Sequence, residues 1–365
     1  MDDSLPQGSA SPSPTRTHLL GLTQDRLAEV LAPHLDRPFR VGQIYRALYE
    51  RGVDDLDEVT ELGKGLRQEL TQRFEVSYPE IADLHRSADG TVKYLLRLHD
   101  QATIETVDIP DGDRRTLCVS SQAGCALACR FCVTGFWGGG RNLTSGEIVA
   151  QVLVAKRQQP LNGRGLNLVF MGMGEPLLNL EALEPALQIL MEQISWRRIT
   201  VSTAGIVPGI LEMARWPRRP QLAISLHAPD DARRDEMMPI NRKYPLAELI
   251  DALAAYPLAP KQRITFEYIL IRGFNDALGD ADALASRLQG LRAKVNLIPL
   301  NPDPVLGDLE PPSAEQVDAF RRRLIARGLR TTVRRRRGDD VSAACGQLRA
   351  PHRDPRGFRR SNLRY

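Results

Sequence analysis

The chain has 365 residues, 42% of them hydrophobic, which is enough for one large α/β domain and a smaller one. Its formal charge of +4 is uneven, because residues 321–365 hold fifteen Arg and three Asp and the rest of the chain carries a balance of −8. No stretch is long and apolar enough to suggest a membrane span, and five cysteines, an odd number, do not fit a secreted disulfide framework. We therefore expect a cytoplasmic protein, in a compartment where thiols stay reduced. We also expect it to be a monomer.

The first quarter of the sequence predicts a tail followed by a helical module. Residues 1–17 are rich in Ser and Pro and lack an apolar core, so we expect a disordered tail and no secretory signal. Apolar residues spaced three and four apart then predict helices in TQDRLAEVLAPHL, VGQIYRALYERGV and ELGKGLRQELTQRF. We assign residues 18–90 to a helical accessory domain with basic polar faces.

From about residue 90 the pattern becomes one of strands alternating with helices. The β-rich runs are TLCVSS, LNLVFM, RITVST, QLAISL, RITFEYILI, KVNLIPL and TTVRR, with amphipathic stretches between several of them. This alternation predicts an α/β fold over residues 91–337, with a parallel sheet that is open or closed into part of a barrel. Since ligands bind at the carboxyl ends of such strands, the polar sequences that follow them are predicted to surround one mouth.

Residues 338–365 form a C-terminal segment that carries the last cysteine. Together with the Arg residues just before it, this end of the chain is strongly basic. A solvated tail and a phosphate-binding surface beside an active site are both compatible with charge alone.

Three cysteines, Cys125, Cys129 and Cys132, have the spacing Cys-x3-Cys-x2-Cys. Three thiolates this close on one loop can bind three irons of a 4Fe–4S cluster, which leaves the fourth iron for a small molecule. The alternative is a zinc site with four cysteines, completed by Cys118 or Cys345. Zinc sites commonly pair two Cys-x2-Cys hairpins, and no second such pair occurs. We therefore predict the cluster.

The spacing is the signature of radical S-adenosylmethionine (SAM) enzymes, and the segment from Thr116 to Cys132 resembles the RlmN/Cfr family of RNA adenine methyltransferases. The resemblance continues through RNL at 141–143, GMGEP at 172–176, STAG at 202–205, SLHAP at 225–229, PINRKYP at 239–245, NLIPLNP at 296–302 and AACGQL at 343–348. It implies a radical-SAM partial (β/α)6 barrel behind an N-terminal helical accessory domain, with a 4Fe–4S cluster and SAM as cofactors. The Gly-rich run after Cys132 departs from the pattern that we expect for this family.

The same resemblance implies roles for individual residues. The SAM pocket would be lined by Gly174, Glu175, Ser202, Ser225, Leu226, His227 and Asn301. Cys345 would accept a methyl group from one SAM and become S-methylcysteine, which the radical from a second SAM activates for addition to the adenine ring. Cys118 would then attack the Cys345 sulfur, and the disulfide so formed would release the product. Glu105, in ETVDIP, would accept the ring proton.

The function implied by the resemblance is methylation at C2 of an adenosine in 23S rRNA, at the peptidyl-transferase centre. An anticodon-loop adenosine in tRNA is expected as a second substrate, and a small protein such as flavodoxin or ferredoxin as the electron donor. Three alternatives remain open at this point: the C8-methylating resistance branch of the same family, a radical-SAM enzyme acting on a protein or small molecule, and a zinc-bound, non-catalytic RNA-binding module.

Overall fold

The computed structural model describes residues 16–161, 163, 165–344 and 346–348. The chain divides into two compact units between Tyr78 and Pro79. Within the described ranges, no helix combines the length and the apolarity that crossing a bilayer requires.

The first unit is mainly helical. Its elements are β1 (Thr17–His18), α1 (Gln24–Leu31), α2 (Arg40–Arg46), a π-helical turn (Ala47–Arg51), α3 (Lys64–Arg73) and β2 (Phe74–Glu75), which pairs in parallel with β1. The Thr23 side chain caps α1 by accepting from the Arg26 N–H, as an N-cap should. Buried leucine and isoleucine side chains from α1 and α2 form the core, and all three predicted helices are present.

The strands of the second unit are β3 (Glu80–Arg86), β4 (Val92–Arg97), β5 (Thr103–Asp111), β6 (Arg114–Cys118), β7 (Gln122–Ala123), β8 (Arg141–Asn142), β9 (Gly165–Phe170), β10 (Ile199–Thr203), β11 (Gln221–Ser225), β12 (Ile264–Leu270), β13 (Ala293–Pro299) and β14 (Arg330–Val333). Its helices are α4 (Val133–Phe136), α5 (Ser145–Gln158), α6 (Leu180–Gln193), α7 (Val207–Arg215), α8 (Asp231–Met237), α9 (Leu246–Ala254), α10 (Leu278–Arg287) and α11 (Ala314–Ala326). Short 3-10 helices join several of these elements.

One sheet organises the second unit, in the order β14-β13-β12-β11-β10-β9-β6-β5-β4-β3. All neighbours from β6 to β14 are parallel, with helices in the crossovers between them. The strands β3 to β6 pair antiparallel and extend the sheet on one side. All seven β-rich runs found in the sequence are strands of the parallel part, so the predicted α/β class and parallel sheet are confirmed.

The end of the helical region differs from the sequence-based expectation. The last helix of the first unit ends at Arg73, and Glu80–Arg86 is already a strand that pairs with Val92–Arg97. Ile81 and Leu84 are spaced as in a helix, but pairing with the neighbouring strand determines the local structure instead. The division between the units at Tyr78 therefore falls earlier in the chain than residue 90.

Candidate active site

Polar residues lie at the carboxyl ends of neighbouring parallel strands, as the sequence predicts. They follow β9, end β10 and β11, or follow β13, and include Gly174, Glu175, Ser202, Ser225 and Asn301. The register places Thr203 of β10 beside Ile224 of β11, so these strand ends share one edge of the sheet. The parallel sheet therefore gathers them from positions far apart in the sequence.

Glu175 connects two of these strand ends. Its carboxylate accepts from the Leu177 N–H at 3.0 Å and from the Ala204 N–H at 2.7 Å, and its own N–H donates to the Gln122 side chain at 2.8 Å. Burial raises the pKa of Glu175 to about 7, although these hydrogen bonds oppose the shift. A buried carboxyl group with a pKa of about 7 can accept a hydrogen bond from a cationic amino group.

Gly174, directly before this carboxylate, is confined by its backbone. Its φ is +95°, and a Cβ there would lie 2.5 Å from the Gln122 Cβ. Only glycine fits this conformation without strain. The GMGEP segment therefore turns tightly over the Gln122 side chain and aims Glu175 at the strand ends.

His227 is buried and neutral. Its Nδ1 accepts from the Ile269 N–H at 3.0 Å, so the ring proton of the neutral form is on Nε2. Burial, assisted by the nearby Arg234 charge, lowers the pKa of His227 to about 3. The ring contacts Phe131 edge-on at 4.4 Å between centroids, which joins the end of β11 to the cysteine loop. Leu226 is fully buried beside it.

The three clustered cysteines lie on the loop between β7 and α4. Ala128 adopts a φ of +51° and reverses the chain between the first two of them. The Cys132 N–H donates to the Cys129 carbonyl at 3.1 Å, and the Cys125 N–H donates to the Gly138 carbonyl at 2.9 Å. The three cysteines thus lie on one tight loop beside the strand ends.

The electrostatics of this loop fit a metal centre. Burial, with repulsion from Cys132, raises the pKa of Cys125 to about 12, and burial raises the pKa of Cys129 as well. Such thiols become ligands only if a cation displaces their protons, which a cluster iron does. Among the described residues, no three His, Cys, Asp or Glu side chains converge on a single ion. Three cysteine thiols on one loop are the donor set that binds three irons of a 4Fe–4S cluster.

The Gly-rich run that follows the cysteines packs directly on the cysteine loop. A Cβ on Gly140 would coincide with the Ala123 carbonyl oxygen. The strands β7 and β8 bring these backbones together by pairing Ala123 with Arg141. Glycine is therefore required at position 140 by close packing of its backbone against the start of the cysteine loop.

A cavity of about 530 Å³ opens beside the strand ends. Cys118, the last residue of β6, lines it together with Thr116, Asn301 and the run Arg334–Arg337. Arg336 donates to the Leu300 carbonyl at 2.9 Å. A nucleophilic sulfur, polar groups and arginines that suit phosphate therefore face one space.

Cys345 lies outside the described residues. On either side of it, Ala343, Ala344 and Leu348 line the same cavity as Cys118. The Gly346 carbonyl accepts from the Val133 N–H at 2.7 Å, which attaches this part of the chain to the cysteine loop. The cavity is therefore built in part from the C-terminal segment.

Glu105 is buried on β5, and the residues that line the described cavity do not include it. Its carboxylate lies 3.1 Å from the Lys93 ammonium group on β4. Only 4% of the Glu105 surface is exposed, so this strand carboxylate is enclosed by its neighbours.

Two buried cations at this site were not predicted from the sequence. Lys93 is paired with Glu105, and Arg234 donates to backbone oxygens at the ends of β10 and β11. Lys93 lies between apolar residues of the strand VKYLLR, and this position was the one sequence signal of its burial. For Arg234, the surrounding run of charged residues gives no sign of burial.

Two family models match the chain. The radical SAM superfamily model matches residues 119–284, and the model described as the ribosomal RNA large subunit methyltransferase N-terminal domain matches residues 17–76. The first covers the cysteine loop and most strand ends, and the second covers the helical unit.

Relatives match over nearly the whole length. A dual-specificity RNA methyltransferase RlmN from Anaeromyxobacter sp. (strain Fw109-5) is 47% identical over 95% of this chain and 94% of its own. One of the same name from Geobacter sulfurreducens is 46% identical over 92% of both. The crystal structure of a radical SAM methyltransferase from Sphaerobacter thermophilus superposes with a TM-score of 0.86, at 46% identity, over 91% of this chain and 99% of that one.

Proposed function

This chain belongs to the RlmN family of radical SAM RNA methyltransferases, and we propose that it methylates C2 of an adenosine in 23S rRNA and of an anticodon-loop adenosine in tRNA. Membership makes the chain a SAM-dependent RNA methyltransferase with a 4Fe–4S cluster and a radical mechanism. The alternatives of a zinc-bound RNA-binding module and of an enzyme for proteins or small molecules are therefore wrong. We expect the enzyme to act in the cytoplasm and to take electrons from a flavodoxin or ferredoxin.

The observation that carries the proposal is the cavity shared by Cys118, the residues flanking Cys345 and the arginine run 334–337. An adenine ring carbon is not a nucleophile, so direct transfer of a methyl cation to it fails. When bound, the cluster and SAM supply one-electron reduction and a radical that abstracts hydrogen. Two protein thiols at one cavity allow the carbon to be carried and then released.

We assign the cofactor contacts as follows. Cys125, Cys129 and Cys132 hold the cluster, and their loop fixes its position by the backbone hydrogen bonds described above. The SAM pocket is formed by the polar strand ends, namely Gly174, Glu175, Ser202, Ser225, Leu226, His227 and Asn301. The Glu175 carboxyl and the His227 Nε2–H are the groups suited to an amino group and an oxygen acceptor, respectively.

The two remaining thiols divide the carbon transfer. Cys345 carries the methyl carbon, which becomes bonded to the adenine ring while it is still attached to sulfur. Cys118 attacks the Cys345 sulfur, so that a sulfur–sulfur bond forms and the sulfur–carbon bond breaks. The electron pair of the broken bond stays with the product carbon, which then takes up a proton.

Glu105 is the proton acceptor. Before release, the proton on the substituted ring carbon leaves to the Glu105 carboxylate, and the electron pair of that C–H bond stays in the ring. The one unpaired electron left by radical addition would be taken up by the one-electron centre that Cys125, Cys129 and Cys132 would hold. The Glu105 carboxylate is buried on β5, and burial favours uptake of a proton by a carboxylate.

RNA is held by phosphate contacts. Arg334–Arg337 lie at the cavity, where they can neutralise the phosphates that flank the target nucleotide. The target base must leave its stack to reach the thiols. We also assign RNA binding to the helical first unit, which matches the family N-terminal model.

The test is product analysis. The reconstituted protein, kept free of oxygen with reductant and SAM, is incubated with unmodified 23S rRNA fragment or tRNA, and the digested nucleosides are compared with standards by mass spectrometry. We expect 2-methyladenosine from both RNAs. If 8-methyladenosine forms instead, the enzyme methylates C8 and belongs to the resistance branch of the family. If neither nucleoside forms while SAM is cleaved, the RNA substrates proposed here are wrong.

A further inference from the structure

Lys93 and Glu105 form a buried ion pair on neighbouring antiparallel strands. The ammonium and carboxylate groups are 3.1 Å apart, and their side chains are only 7% and 5% exposed. Burying two charges carries a large desolvation penalty, which the pairing has to offset. An apolar pair would fill this position without that desolvation penalty. We therefore expect a functional reason for the ion pair.

The pair lies on the same face of the sheet as Cys118. The register places Lys93 opposite Val107, and Val107 opposite Cys118, in one row across β4, β5 and β6. Directly opposed residues point to the same face, and so does Glu105, two positions before Val107. By this alternation across β3 to β6, the charged or titratable side chains on the face are Glu80, Asp83, His85, Lys93, Arg97, Glu105, Asp111, Arg114 and Cys118. Of these, Lys93 is the cation paired with Glu105.

Lys93 also contacts the C-terminal segment. Its ammonium group donates to the Ser342 carbonyl at 3.3 Å, three residues before Cys345. The turn between β3 and β4 holds the same segment, because Asp89 accepts from the Gly338 N–H and Asp340 accepts from the Ala88 N–H, both at 3.1 Å. One ammonium group therefore links the proton acceptor to the segment that carries the second thiol.

We propose that Lys93 is a positioning residue for methyl transfer, which keeps Glu105 ionised and fixes it relative to the segment that carries Cys345. The proposal rests on the function proposed above. The step it supports is the proton transfer in which the ring C–H bond breaks, the proton goes to a Glu105 oxygen and the electron pair stays in the ring. Without the nearby cation, burial favours the protonated carboxyl, which has no capacity for this proton.

The experiment measures protein covalently linked to RNA. Full-length, anaerobically reconstituted protein reacts with the RNA, and the linked fraction is read on a denaturing gel across a range of pH. Lys93→Met removes the charge but keeps the length of the side chain, and Lys93→Arg restores the charge. Arg97→Met is the matched control, because it removes an exposed ion pair with Glu80 from the same strand. Cys118→Ala serves as the reference for trapped adduct.

We expect Lys93→Met to accumulate several-fold more adduct than the unchanged protein at neutral pH, and to lose this excess as the pH is raised and the buried carboxyl ionises. Lys93→Arg and Arg97→Met should match the unchanged protein at every pH. A merely structural role for Lys93 would change yield without this dependence on pH. Equal adduct in Lys93→Met and Arg97→Met at all pH values would overturn the proposal.

If Lys93→Met does not fold, the double variant Lys93→Met/Glu105→Gln removes both buried charges together. It should accumulate adduct at every pH, and absence of adduct would overturn the proposal. The nucleosides formed by the unchanged protein are measured in the same reactions. Failure to form either methyladenosine there overturns the proposed function itself, and is thereby distinguished from failure of the Lys93 assignment.

Discussion

The Arg234 guanidinium group donates to the Ala204 carbonyl at 2.6 Å, from a side chain with no exposed surface. It also donates to the carbonyls of Ser225 and Leu226, both at 3.1 Å, and to the Asn241 side chain. One cation therefore satisfies backbone oxygens at the ends of two adjacent strands. These are the strand ends that form the candidate SAM pocket.

Arg234→Met should destabilise the protein strongly, because several buried acceptors lose their donor. Each unsatisfied buried group costs about 1 to 3 kcal/mol, so the loss should exceed about 3 kcal/mol. Denaturant titration of the protein in the absence of RNA measures it. Arg215→Met, which removes an exposed ion pair with Glu212, is the control and should leave the midpoint unchanged. Similar midpoints for the two variants would show that the buried hydrogen bonds contribute little.

Replacing any one of Cys125, Cys129 or Cys132 by alanine should abolish cluster binding, because three thiolates are the minimum for the site. Iron content and visible absorbance after anaerobic reconstitution measure this. Cys118→Ala, which removes a buried thiol from β6, should keep both signals. An iron content that survives in Cys129→Ala would contradict the ligand assignment.

Cys118 and Cys345 should differ in their effects on the reaction. Cys118→Ala should form the bond to RNA and fail to break it, so that a covalent adduct appears on a denaturing gel. Cys345→Ala should form neither adduct nor methylated nucleoside, with cluster absorbance intact. If the Cys118→Ala variant forms no adduct, Cys118 is not the thiol that releases the product.

Gly140→Ala should impair the cluster site, because the added Cβ would coincide with the Ala123 carbonyl oxygen. We expect iron content to fall several-fold after reconstitution. The adjacent Gly139→Ala is a matched control, since its Cβ would lie 3.3 Å from the Ala126 Cβ, a gap that small shifts can accommodate. Equal iron content in the two variants would mean that the loop rearranges freely.

Arg335→Gln and Arg336→Gln should weaken RNA binding and make it less sensitive to salt. Each lost phosphate contact should reduce the slope of log affinity against log salt by about 0.7 to 0.9. Arg322→Gln, at an exposed position on α11 away from the cavity lining, is the control. If the slope of log affinity against log salt is unchanged in the cavity variants, these arginines do not contact RNA phosphates.

The sequence predicts the sheet well, because each parallel strand is a local apolar run between turn residues. It also predicts which polar segments meet, since parallel strands end at one edge. The partners of Lys93 could not be predicted, because Ser342 is separated from it by 249 positions and no local pattern encodes the contact. For Glu105, the sequence motif suggests a chemical role, but burial and the ion pair depend on which strand lies beside β5.

The contacts between the β3–β4 turn and residues 338–342 affect the order in which the enzyme folds. Gly338 and Asp340 reach partners 249 and 252 positions earlier in the chain. Such distant contacts close late, after most of the intervening sheet has formed. During synthesis on the ribosome, the N-terminal part emerges first, and the cavity can be completed only when its lining residues up to Leu348 have emerged. A truncated translation product would therefore contain a folded sheet without methylating its RNA.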